Sequence, residues 1–105
     1  MANMKLTLGR LPDFKLPVDF VLPNGDEQRV VFTVKHMKST EIQELYEAQD
    51  PTKDHEFILQ LATNWDVVDE FNEENVKELV DLFPGAVIAL MGAYMRALAG
   101  IRVKN

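Results

Sequence analysis

The chain has 105 residues and no cysteine. That absence removes disulfides, thiol nucleophiles, iron–sulfur clusters and thiolate zinc sites together, and it fits a reducing compartment. Positive charge is also scarce: 11 Lys and Arg face 17 Asp and Glu, a formal net charge of −6. A protein built to grip nucleic acid carries the opposite excess, so nucleic acid is not an expected partner. Histidine occurs twice, at His36 and His55, with no second histidine at helical ligand spacing. There is no HExxH, no glycine-rich phosphate loop and no GxSxG elbow. His55 and Glu56 are sequence neighbours and diverge on a helix, so they read as solvated surface residues and not as an acid–base pair. No catalytic residue, metal ligand or cofactor site is expected, and the chain reads as not an enzyme.

The start of the chain lacks the unbroken apolar core of a secretory signal. The longest apolar stretch runs from Pro84 to Ile101 and would span roughly 27 Å as a helix, close to a bilayer. Arg96 lies inside it, and glycines and alanines dilute it, so it reads as a buried or interface helix with no membrane partner. A chain of this length makes one domain, residues 1–105, with room for one modest core.

What is present reads as β and then α. Phe14, Leu16, Val18, Phe20 and Leu22 alternate with Lys15, Pro17, Asp19 and Val21, the period of a half-buried strand. Pro17 lacks an amide hydrogen and predicts a sheet edge or a bulge. Leu22-Pro23-Asn24-Gly25 predicts a turn with Gly25 left-handed, and Val30, Phe32 and Val34 form the return strand. This hairpin, about 13–36, cannot stand alone and must pack on helices or on another chain. The helical part is about 39–102. Thr40 to Gln43 has the form of a capping box, with Ser39 an equal candidate for the cap. A short helix carries Ile42, Leu45 and Tyr46. Asp50-Pro51 ends it and starts a second, whose apolar stripe is Ile58, Leu61, Ala62 and Trp65. Residues 66–71 form a connector. Asn72 caps a third helix with Val76, Leu79, Val80 and Phe83 on its buried face. Pro84-Gly85 restarts the chain as a last helix. The fold class is α+β, mainly α: an N-terminal β-hairpin followed by about four helices.

Two regions invite a partner. The last helix is apolar nearly all round, which requires burial in the core or under another chain. Val87, Met91, Tyr94, Met95 and Leu98 are the candidate contact residues, and methionine suits a surface that accepts varied partners. With the exposed strand edge, this helix points to a homo-oligomer more than to catalysis. Trp65, the only tryptophan, reads either as a core anchor with its indole nitrogen bonded near the surface or as an interface hot spot. Nine carboxylates and one lysine lie between Asp54 and Asp81. Without a glycine for a calcium loop, they read as a solvated helix face or as an acidic docking face for a basic partner. The candidates for that face are Asp66, Asp69, Glu70, Glu73 and Glu74.

The run Trp65-Asp66-Val67-Val68-Asp69-Glu70-Phe71, then Asn75 and Leu79, Phe83-Pro84, Tyr94 and Lys104-Asn105, resembles the tail assembly chaperones of long-tailed, lambdoid bacteriophages. The hairpin and the capped, Glu-rich helix after it are similar too. The resemblance implies a non-enzymatic protein of the host bacterial cytoplasm that is absent from the mature virion. It implies that the chain coats the aggregation-prone tape measure protein and helps bring tail tube protein to it. It also implies a longer form made by a −1 ribosomal frameshift, whose extension contacts the tube protein. Val103-Lys104-Asn105 can be encoded by GTA AAA AAC, which contains a slippery heptamer, although a frayed polar tail is the plainer reading. A structural head–tail or tail-tube subunit of the virion is the alternative expectation.

Overall fold

The computed structural model describes residues 11–48 and 53–99. The expected Asp50-Pro51 boundary, Ile101 and the Val103–Asn105 end lie outside the described residues. Strand β1 (Phe14–Val21) pairs antiparallel with β2 (Glu27–Val34), with Leu16 opposite Phe32 and Val18 opposite Val30. Leu16, Val18, Phe20, Val30, Phe32 and Val34 are buried, so one face of the hairpin is apolar and the alternation is as expected. The turn closes with the Gly25 amide donating to Leu22 (2.8 Å) and the Leu22 amide to Asp26 (2.8 Å). Gly25 has φ +95°, a conformation that side-chain-bearing residues avoid.

β1 is an edge strand. Backbone polar groups alternate sides along a strand. Leu22 donates across the hairpin, so Pro17, five positions earlier, turns its nitrogen to the outer edge, where no ladder bond is lost. Asp19 and Arg29 are paired in register on the solvent face and joined by a side-chain hydrogen bond of 2.7 Å.

Helices α1 (Ser39–Glu47), α2 (Asp54–Leu61), α3 (Glu73–Leu82) and α4 (Gly85–Leu98) follow. α1 differs from expectation at its start. Lys38 is the cap, Ser39 and Thr40 are already helical, and Glu41 Oε1 accepts from the Lys38 amide at 2.8 Å. Glu41, and not Gln43, thus supplies the half of the box that reaches back, two residues earlier than a box starting at Thr40 implied. Asn72 caps α3 as expected, its Oδ1 accepting from the Asn75 amide at 2.8 Å.

The second helix is shorter than its apolar spacing predicts. α2 ends at Leu61, and residues Ala62–Trp65 form a third strand, β3, on the other side of β2. Ala62 and Trp65 are therefore not part of a helical stripe. Phe32 faces Trp65, Thr33 faces Asn64, and Val34 faces Ala62, so Thr63 is an extra residue in the ladder. This bulge places two core side chains three positions apart, the spacing that a helix also produces. One buried cluster draws on all seven elements: α4 lies over β1, α2 packs on α3, and α3 meets α4 at 105°. Among the described residues no single helix is long and apolar enough to cross a membrane.

Candidate functional site

α4 is divided along its length. Val87, Leu90 and Tyr94 point into the core together with Ala86. On the far side Ile88 is 74% exposed and Met95 is 46% exposed. These two are separated by two helical turns and so lie on one face, with Gly92 between them. The guanidinium of Arg96 folds back over Gly92, where an added Cβ would lie 3.3 Å from its Nη1. Met91 and Leu98 are half-buried at the boundary. Of the residues expected to meet a partner, Val87 and Tyr94 are thus packed inside this chain. Met91, Met95 and Leu98 are left at or near the surface, and Ile88 joins them. Period-3.6 spacing alone could not choose between the two sides, because both are apolar.

Tyr94 has a structural task. Its ring stacks on Phe14, with centroids 6.2 Å apart. Its hydroxyl donates to the Lys35 carbonyl (2.6 Å) and accepts from the Met37 amide (3.1 Å). The strand-to-helix connection after β2 is thereby tied to α4. Burial pushes the Tyr94 phenol above its ordinary range, aided by the Glu41 charge and opposed by the Met37 hydrogen bond. Tyr46 does a related job, donating to the Met91 carbonyl at 3.1 Å, and burial raises its phenol as well.

Trp65 is buried, with Nε1 donating to the Asp69 carbonyl at 2.7 Å. Its ring meets Phe71 edge-on at 5.2 Å and Phe32 at 6.2 Å. That is the core-anchor arrangement, with the polar end of the indole bonded near the surface. The acidic candidates are all exposed, but they are not equivalent. Asp66 extends the sheet beyond β3: its amide donates to Val31 (3.1 Å), and its Oδ1 accepts from the Val31 amide (2.9 Å). The Asp69 and Glu70 carbonyls hold Trp65 and the Asn75 side chain (2.8 Å) respectively. Glu73 and Glu74 occupy the first turn of α3, where negative charge is favoured.

Neither histidine is a solvated surface residue. His36 is half-buried and meets Phe14 edge-on at 6.0 Å. The packing of α2 on α3 sets His55 Nε2 4.0 Å from Glu73 Oε2, and the His55 side chain is 15% exposed. Glu56, its sequence neighbour, is not its partner. No group of three or more metal-ligating side chains forms among the described residues. What this arrangement offers is contact surface: an apolar stripe on α4 and an acidic face on α3 and the loop before it.

The family model of the phage tail assembly chaperones matches residues 1–105, the whole chain. No curated protein and no solved structure matches it.

Proposed function

The chain belongs to the phage tail assembly chaperones, and from that premise we propose that it binds and solubilises the tape measure protein during tail assembly and helps recruit tail tube subunits to it. The role is non-catalytic. The observation that carries the reading is the outward face of α4, where Ile88 and Met95 stand exposed beside the half-buried Met91 and Leu98. A tape measure helix needs its apolar stripe covered, and an apolar helix face can cover it. Copies arrayed along one long client gain avidity from their mutual contacts, which is where a homo-oligomer enters. In this role the protein works in the host cytoplasm and is left out of the finished virion, and a frameshifted longer form contacts the tube protein.

Co-expression with the tape measure protein tests the proposal. Ile88→Lys with Met95→Lys should leave the fold intact, since both side chains are exposed, and should return the tape measure protein to the insoluble fraction. Undiminished soluble complex with the double variant refutes the role of α4. Mass spectrometry of purified virions should lack this chain. The 3′ end of the gene should contain a slippery run, with a longer product sharing this N-terminus.

A further inference from the structure

A second surface has the chemistry of a docking site, separate from the α4 stripe. Between β3, the loop after it and α3 lies a notch of about 130 Å³. Trp65, Val67, Leu79, Leu82 and Phe83 give it an apolar lining, and Asp69 and Glu78 stand in its wall with Asn75. Leu82 is 55% exposed at its lip, and Val68, next to Val67, is fully exposed. Exposed large apolar side chains beside an apolar hollow are what a partner's anchor residue covers.

Charge identifies the kind of partner. Residues 66–82 hold Asp66, Asp69, Glu70, Glu73, Glu74, Glu78 and Asp81 against Lys77 alone, a net charge of −6. That equals the net charge of the whole chain, so everything outside this segment is neutral in sum. The most basic stretches of the chain, residues 28–40 and 83–105, reach only +3 each, half of what this segment calls for, so a second copy is the poorer match and a separate, more basic protein the better one. The mode of contact is also restricted. The outward amide of Trp65 at the edge of β3 is already taken by Asn64 Oδ1 at 2.9 Å, which leaves that edge a poor template for strand addition. Side-chain insertion from a helix remains.

We propose that this notch seats one large apolar side chain of a basic amphipathic helix belonging to a partner protein, with flanking Lys or Arg residues over Asp69, Glu78 and their acidic neighbours. Trp65 lines the site and is the only tryptophan, so the protein carries its own fluorescent reporter. The probe is a synthetic helical peptide of about 15 residues, long enough to be marginally helical alone, with Leu on one face and Lys on the other. Two control peptides replace every Lys by Glu, or every Leu by Ser.

The Leu/Lys peptide should change Trp65 emission saturably, and added salt should weaken the effect. Leu82→Gln and Glu78→Lys, each at an exposed position, should each weaken binding about tenfold, the loss expected of a central contact. The Glu peptide and the Ser peptide should not bind at comparable concentration. Equal binding of the Ser peptide overturns the proposal, because charge alone would then suffice. So does binding that is indifferent to Leu82→Gln, or binding that is lost in the Ile88→Lys/Met95→Lys variant and kept in Leu82→Gln. Loss of the tape measure complex in that α4 variant, with peptide binding retained, would support both surfaces separately.

Discussion

Removing one oxygen from Tyr94 is the sharpest test of how this small core is held together. Tyr94→Phe keeps the ring, its stacking on Phe14 and nearly all the volume, so no cavity opens. What disappears is a hydroxyl that donates to Lys35 and accepts from Met37. The residue is fully buried, so little water can reach the two backbone groups left behind. A net hydrogen bond is worth about 1 kcal/mol, and a buried polar group left without a partner costs about 1–3 kcal/mol. Together these predict a loss of about 2 kcal/mol. With a urea m-value of about 1.5 kcal/mol/M, the midpoint should fall by a little over 1 M. The melting temperature should drop by roughly 10 °C. Tyr46→Phe is the internal control. Tyr46 is only half-buried and makes one bond, to the Met91 carbonyl, so its loss should be about 1 kcal/mol or less. Urea titration followed by Trp65 fluorescence and far-UV circular dichroism, with unchanged slopes, measures both. A Tyr94→Phe variant within about 0.5 kcal/mol of the parent refutes the reasoning, as does a Tyr46→Phe variant that is the more damaged of the two.

The same hydroxyls predict a pH dependence. Burial raises the Tyr46 and Tyr94 phenols in the folded chain, while the unfolded chain ionises them near about 10. Their stability is full below that pH and is lost as pH rises through it towards the folded value. Urea midpoints measured on the alkaline side should therefore show the gap between Tyr94→Phe and the parent narrowing. Asn72→Ala removes the side-chain cap of α3 and should cost about 1 kcal/mol in the same titration. Asp66→Ala should also cost about 1 kcal/mol by freeing the Val31 amide. Asp66→Asn keeps an acceptor oxygen at that place and should recover most of the loss, which shows the residue serving as a sheet terminus independently of its charge.

The hairpin, its turn and the Asn72 cap were legible because each depends on local chemistry: strict alternation, a glycine at positive φ, an acceptor three residues before a free amide. β3 was not, and the reason is specific. Its bulge at Thr63 puts Ala62 and Trp65 on the core side at a spacing of three, continuing the Ile58 and Leu61 pattern. Thr63 and Asn64 are poor helix formers, and they were the only local sign that the helix stops. The partition of α4 was hidden for another reason. Val87 and Tyr94 are buried, Tyr94 against Phe14 of β1, while Ile88 and Met95 face outward, yet all four are apolar. Only the position of the sheet decides which side is buried. His55 was misplaced because its neighbour in space, Glu73, comes from a helix that begins eighteen residues later.

The sheet itself is a weak candidate for self-association, although an exposed hairpin edge first suggested it. The outer edge of β1 carries Pro17, which supplies no amide there and resists the approach of another strand. At the outer edge of β3 the Trp65 amide is occupied by Asn64, and beyond β3 the Val31 amide is occupied by the Asp66 carboxylate. Each device uses a side chain or ring of the strand's own neighbourhood to retire a backbone group that would otherwise pair with another chain. With both edges blunted, the stripe of Ile88 and Met95 and the notch under Leu82 are the better candidates for a partner among the described residues. One is nearly free of charge apart from Arg96, and the other sits in the segment that accounts for the whole net charge. Surfaces that differ this much in charge favour partners of different chemistry, so the two partners proposed above would not compete for one site.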